Sequence, residues 1–171
     1  MNNDGTSEKF TPVLEDFFVD QPLSRDELKK GFAELLSISE NEIFIYEDDD
    51  KLIEEMDKNN MNPYLLQIFY VTVKGDFSIL LKLRPADPDV DAQIQDIGRE
   101  RYTFVSEFSK KFQCRCAIDS GNDPILRPDD FYLIDGHNQR QLIVLYMPSD
   151  EEKPIPDDET DYYFIDEIDK R

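Results

Sequence analysis

Residues 64–84 read YLLQIFYVTV-KGD-FSILLKLR, and this stretch decides the fold. Its first part is apolar on both alternating faces. Leu66, Ile68 and Tyr70 fall on one side, and Leu65, Phe69, Val71 and Val73 on the other. β-Branched and aromatic residues suit a pleated surface, and apolarity on both faces predicts an interior strand. Lys74-Gly75-Asp76 supplies a short connection with a glycine free to take positive φ, so a hairpin is expected. The return strand alternates, with Phe77, Ile79, Leu81 and Leu83 against Ser78, Lys82 and Arg84. Leu80 breaks the alternation.

Downstream, Pro85 ends the strand, and Asp87-Pro88 has the form of an N-cap followed by proline at the first helical position. Asp89 and Asp91 sit where the helix dipole favours anions, and Lys110 and Lys111 where it favours cations. Val90, Ile94, Ile97, Arg101, Phe104, Val105, Phe108 and Phe112 recur at helical spacing, predicting one long amphipathic helix. Gly98 on that stripe is expected to admit a close strand backbone.

Upstream, Ser24-Arg25-Asp26-Glu27 is a capping box before Leu28, Phe32, Leu35 and Leu36, predicting a helix over 25–37. Residues 42–47 read as a short strand, and Leu52, Ile53 and Met56 mark a short helix. Residues 10–19 fit either an edge strand or a short helix. Beyond the long helix, residues 114–118 read as a strand, and 131–134 with 141–147 as a second hairpin around Asp135-Gly136-His137-Asn138. The expected class is α+β, a mostly antiparallel sheet of about five to six strands with two main helices packed on one face. Residues 1–148 form the expected single domain. Residues 149–171 form an acidic C-terminal tail whose Tyr162, Tyr163, Phe164, Ile165 and Ile168 either dock back as a short helix or await a partner. The cost of exposing apolar groups favours docking.

Charge is the strongest functional signal. The chain of 171 residues has 39 acidic and 19 basic side chains, a formal net charge of −20. Direct binding to nucleic-acid phosphates needs the opposite sign, and an anionic membrane would repel this surface. A basic protein is the natural complement, with solubility as the simpler explanation. No apolar run is long enough to span a bilayer, and the first residues lack a signal-peptide pattern, so a cytoplasmic protein is expected.

Motifs for chemistry are weak. Asp87, Asp89 and Asp91 open like a calcium loop, but Ala92 replaces the required glycine and Gly98 the bidentate glutamate. Helix capping explains them better. Cys114 and Cys116 read as buried small side chains, and with the lone His137 they fall short of a zinc site. His137 lies in a hairpin turn, and no phosphate-binding or dinucleotide loop is present. No catalytic residue, metal or cofactor is expected, and the chain reads as no enzyme.

Two acidic clusters carry the binding hypothesis. The first comprises Asp48, Asp49, Asp50, Glu54, Glu55 and Asp57, within a stretch (residues 40–60) of local charge −7. The second comprises Asp157, Asp158, Glu159 and Asp161 in the tail, where residues 149–171 also sum to −7. Solvated surface charge is the plain reading of each. The sharper one is an immunity protein or antitoxin that occludes the active site of a basic toxin, such as a nuclease. The order of elements also resembles that of the small acidic chaperones of type III secretion systems, a likeness of topology alone. That resemblance implies a dimer holding an effector segment along an apolar groove.

Overall fold

The computed structural model describes residues 15–47, 64–95, 103–119, 130–137, 139–155 and 159–168. Its centre is β1 (Glu15–Val19), the segment that the sequence left undecided between edge strand and helix. β1 is neither at an edge nor helical. It lies between β5 (Ile79–Pro85) and β6 (Cys116–Asp119), antiparallel to both. Its two phenylalanines point to opposite faces, as period-two geometry requires. Phe17 enters one core and Phe18 another.

The described residues form a mixed nine-stranded sheet and three α-helices, more strands than the five to six expected. The remaining strands are β2 (Ile43–Tyr46), β3 (Leu66–Thr72), β4 (Lys74–Gly75), β7 (Asp130–Ile134), β8 (Arg140–Tyr146) and β9 (Tyr162–Ile168). Their order is β2-β3-β5-β1-β6-β7-β8-β9-β4. β2 pairs parallel with β3, β4 pairs parallel with β9, and the other pairings are antiparallel.

β3 and β4 are separated in sequence by Val73 alone, yet they stand near opposite ends of the strand order. The sheet therefore curls until its far end, β9, returns to the chain that left β3. Lys74-Gly75-Asp76, expected as a plain hairpin loop, is the seam of this closure. The Asp76 N–H donates to the Tyr163 carbonyl at 2.9 Å, and the Asp76 carboxylate accepts from the Ile165 N–H at 2.7 Å. Gly75 has φ +97°, and a Cβ there would lie 2.4 Å from the Tyr163 carbonyl oxygen, so only glycine fits without a shift.

β9 corrects the expectation of a short docking helix for the tail. The run of Tyr162, Tyr163, Phe164 and Ile165 favours a pleated strand. Pairing also satisfies backbone groups that the edge of β8 would otherwise present to solvent. Globular structure thus continues past Pro148.

The helices cover the other face. α1 (Arg25–Leu36) starts at the expected capping box, with the Ser24 hydroxyl accepting from the Glu27 N–H and the Glu27 carboxylate from the Ser24 N–H. The expected long helix is described as α2 (Pro88–Gln95) and α3 (Thr103–Phe112). Ile97, Gly98 and Arg101 lie outside the described residues, as does the short helix expected around Leu52, Ile53 and Met56. The Asp87 carboxylate caps α2 through the N–H groups of Asp89 and Val90 at 3.1 and 3.2 Å. At Gly31 of α1 a side chain comes close: a Cβ there would meet the Phe112 ring at 2.0 Å.

The first core lies between helices and sheet. Phe108 is its hub, with ring centroids 5.0 Å from Phe17, 5.4 Å from Phe32 and 4.6 Å from Phe112. The second core is built of strands and the turns between them. Phe18 lies 4.6 Å from Tyr163, 5.5 Å from Phe77 and 6.1 Å from Phe131, with Val73, Ala117, Leu133 and Ile143 around them. Leu80, the exception to strand alternation, packs against this second core. Phe77 also belongs there, not with Ile79, Leu81 and Leu83.

Candidate functional site: an acidic cleft beside the seam

Closure of the sheet brings distant acidic segments together. Glu47 directly follows β2, whose parallel register sets Tyr46 beside Phe69 and so carries Glu47 toward Tyr70. Residues 159–161 lead into β9, and the Lys74 N–H holds the Asp161 carbonyl at 3.0 Å. Between them opens a cleft of about 430 Å³ lined by Glu47, Tyr70, Val71, Thr72, Glu159, Thr160 and Asp161.

Its floor is ordered by Tyr70, whose hydroxyl donates to the Leu23 carbonyl at 2.9 Å. Burial pushes the Tyr70 hydroxyl above its usual pKa, and the Glu47 carboxylate pushes it further. This tyrosine therefore stays a neutral donor. Glu47 forms an ion pair with Arg25 at the start of α1, both side chains about 40% exposed. Glu159 and Asp161 are exposed. Across the seam, burial raises the pKa of Tyr163, helped by the Asp161 charge. The cleft is thus walled by three carboxylates, with hydroxyls from Tyr70, Thr72 and Thr160. Carboxylates are acceptors, so the chemistry on offer is charge-assisted hydrogen bonding to ammonium or guanidinium groups.

Of the ten acidic residues singled out from the sequence, Glu159 and Asp161 line this cleft. Asp48, Asp49, Asp50, Glu54, Glu55, Asp57, Asp157 and Asp158 lie outside the described residues. Glu47 was missed as a site residue although it heads the Asp48–Asp50 run. Tyr70, Val71, Thr72 and Thr160 carried no signal, because strand periodicity says nothing of what approaches a strand end.

The other candidates have structural roles. Cys114 and Cys116 are free, buried in the first core, with sulfurs 3.9 Å apart. Burial holds the Cys116 thiol well above its usual range, which suppresses the reactive thiolate. His137 lies in the β7–β8 turn, where its backbone N–H donates to the Asp135 carboxylate at 2.8 Å. Among the described residues, no group of three or more His, Cys, Asp or Glu side chains is arranged to hold a metal ion. No described helix is long and apolar enough to cross a membrane. Comparison with protein-family models, with curated proteins and with solved structures finds no match.

Proposed function

We propose that this chain is an acidic protein-binding module, an immunity protein or antitoxin that neutralises a basic toxin domain by occluding its active site. The observation that supports this reading is the meeting of Glu47 with Glu159 and Asp161 in one cleft. Side chains more than 110 residues apart in sequence, each belonging to an acidic stretch, face a common space. Glu47 directly follows β2 and Asp161 directly precedes β9, so ordered backbone presents their charge, which suits a nuclease site built to grip phosphates. In this reading the protein acts by steering and blocking, with no bond-making of its own. Its net charge of −20 speeds encounter with a cationic surface and discriminates against anionic ones.

The test begins with recovery of the partner by pull-down from the native host, followed by association kinetics on the purified pair. A basic partner is expected, with an association rate that falls steeply as salt rises. Replacing the two exposed acids together, Glu159→Gln with Asp161→Asn, is expected to lower affinity about tenfold, a loss of ~1.4 kcal/mol. A partner without a basic face, or salt-independent association, would sink the reading. Recovery of an unfolded effector segment on a stable dimer would replace it with the secretion-chaperone reading.

A further inference from the structure

The walls of the acidic cleft come from two distant parts of the chain. Tyr70, Val71 and Thr72 belong to β3 and Glu47 follows β2, whereas Glu159, Thr160 and Asp161 lead into β9. β8 and β9 are antiparallel neighbours, which a two-residue turn could join. Residues 147–161 join them instead, and the last three of these form the second wall. The position of that wall is therefore set by the seating of β9.

That seat is uneven. On one side β9 pairs with β8 across a register shift between Val144 and Leu145. On the other it meets β4, which offers two residues, in the register Lys74 to Tyr162 and Gly75 to Tyr163. The Lys74 N–H donates to the Asp161 carbonyl at 3.0 Å, at the cleft wall itself, and the Asp76 N–H to the Tyr163 carbonyl at 2.9 Å. Past the end of this short ladder, the Asp76 carboxylate accepts from the Ile165 N–H at 2.7 Å. A charged side chain thus stands where a longer strand would place a carbonyl, and a charge-assisted bond is roughly twice as strong as a neutral one. Asp76 is exposed and does not line the cleft. Tyr163 and Ile165 pack against the second core, so the seated state of β9 is the major one. Its few bonds to β4 still make it the first strand to open.

We propose that β9 is a strap latched by the Asp76 carboxylate, and that its closure and the capture of a cationic group in the cleft form one coupled equilibrium. A cation held between Glu47 and the Glu159–Asp161 wall touches both sides, so it binds the closed state better and shifts the population toward it. Coupling is reciprocal, so whatever loosens the latch weakens binding at a site that the latch does not touch. Affinity can then be set from outside the cleft, at Asp76. This rests on the reading that the cleft receives cationic groups, and adds that the seating of β9 governs their binding.

The test uses the intact chain and a tetra-arginine peptide. Binding is located by the backbone amide shifts of Thr72 and Asp161, and the seam is followed by hydrogen exchange at Lys74, Asp76 and Ile165. Without peptide, these three amides are expected to exchange faster than that of Phe32 in α1. With peptide at about ten times its Kd, their exchange is expected to slow about tenfold. Asp76→Asn keeps an acceptor and Asp76→Ala does not, while both remove the same charge. The alanine variant is expected to exchange faster at Lys74 and to bind the peptide about threefold more weakly than the asparagine variant, because its closed fraction is smaller. Seam amides that exchange no faster than Phe32, seam exchange unchanged by bound peptide, or equal binding by the two variants overturns the inference and leaves the cleft reading standing. If the peptide does not bind, or binds without shifting Thr72 and Asp161, the inference and the cleft reading fall together.

Discussion

The two faces of this sheet are covered by different means. On one face, α1, α2 and α3 bury a core whose hub is Phe108. On the other, the sheet covers itself, curling until β9 meets β4 over a core whose hub is Phe18. The helical side rests on side chains with local periodicity, and each helix carries its own stripe. The strand side gathers Phe18, Val73, Ala117, Leu133, Ile143 and Tyr163 from six separate stretches. Its closure hangs on a two-residue parallel pairing and one carboxylate, that of Asp76. The first core is the natural source of global stability. The second is the place where local opening should begin, because its seam has the fewest bonds. The acidic cleft sits beside that seam, so the candidate interface is assembled only when the sheet is shut.

Substitution at the two hubs should expose this difference most strongly. Phe108→Ala removes a fully buried ring with three aromatic neighbours and is expected to cost about 3–5 kcal/mol in urea unfolding. Phe18→Ala is expected to cost less, at the lower end of that range, since opening at the seam relaxes the cavity. Equal losses would argue against a division into strong and weak halves.

A smaller effect is expected from Gly75→Ala, which forces a Cβ against the Tyr163 carbonyl at positive φ. Its cost should be about 1–3 kcal/mol. Hydrogen exchange should show it confined to Tyr163, Ile165 and their neighbours, with α1 and α3 protected as before. Uniform loss of protection would mean that the seam and the helical core open as one unit.

The smallest effect concerns acid. Lys111 of α3 holds the Glu34 carboxylate of α1 at 3.0 Å, and its hydrogen bond and charge keep the Glu34 pKa below the ordinary 4.5. A depressed carboxyl stabilises the fold above its unfolded value and loses that contribution as pH falls through its folded value. Glu34→Gln should therefore be slightly less stable than the parent at pH 6, with the gap closing below about pH 4. A gap that persisted in acid would show that packing, and not the ion pair, is what the substitution removes. Because the Glu34 side chain is about half exposed, solvent screening keeps the effect small.

Much of the helical half was legible in the residues themselves. The Ser24–Glu27 capping box, the Asp87 cap, and the stripes through Leu28, Phe32, Phe104 and Phe108 announce their partners within one or two turns. The strand half was harder to read. Leu80 looked like an irregularity because the second core that buries it is supplied from elsewhere. Tyr162 to Ile165 looked like a helix in a charged tail, because nothing local shows that the edge of β8 awaits a strand. The candidate site divides the same way. Glu159 and Asp161 stood out by charge, whereas Tyr70 and Thr72 became lining residues only through the closure that sets β9 beside β4.

By itself, the sequence determined the sign of the surface, the α+β class, the helix starts and the strands of both hairpins, because caps, periodicity and charge act over a few residues. Tertiary structure alone decided that β1 is central, that the tail is a strand, and that Glu47 meets Glu159 and Asp161. Those outcomes depend on backbone groups finding partners dozens of residues away, and a strand's own residues carry no record of which edge will receive it.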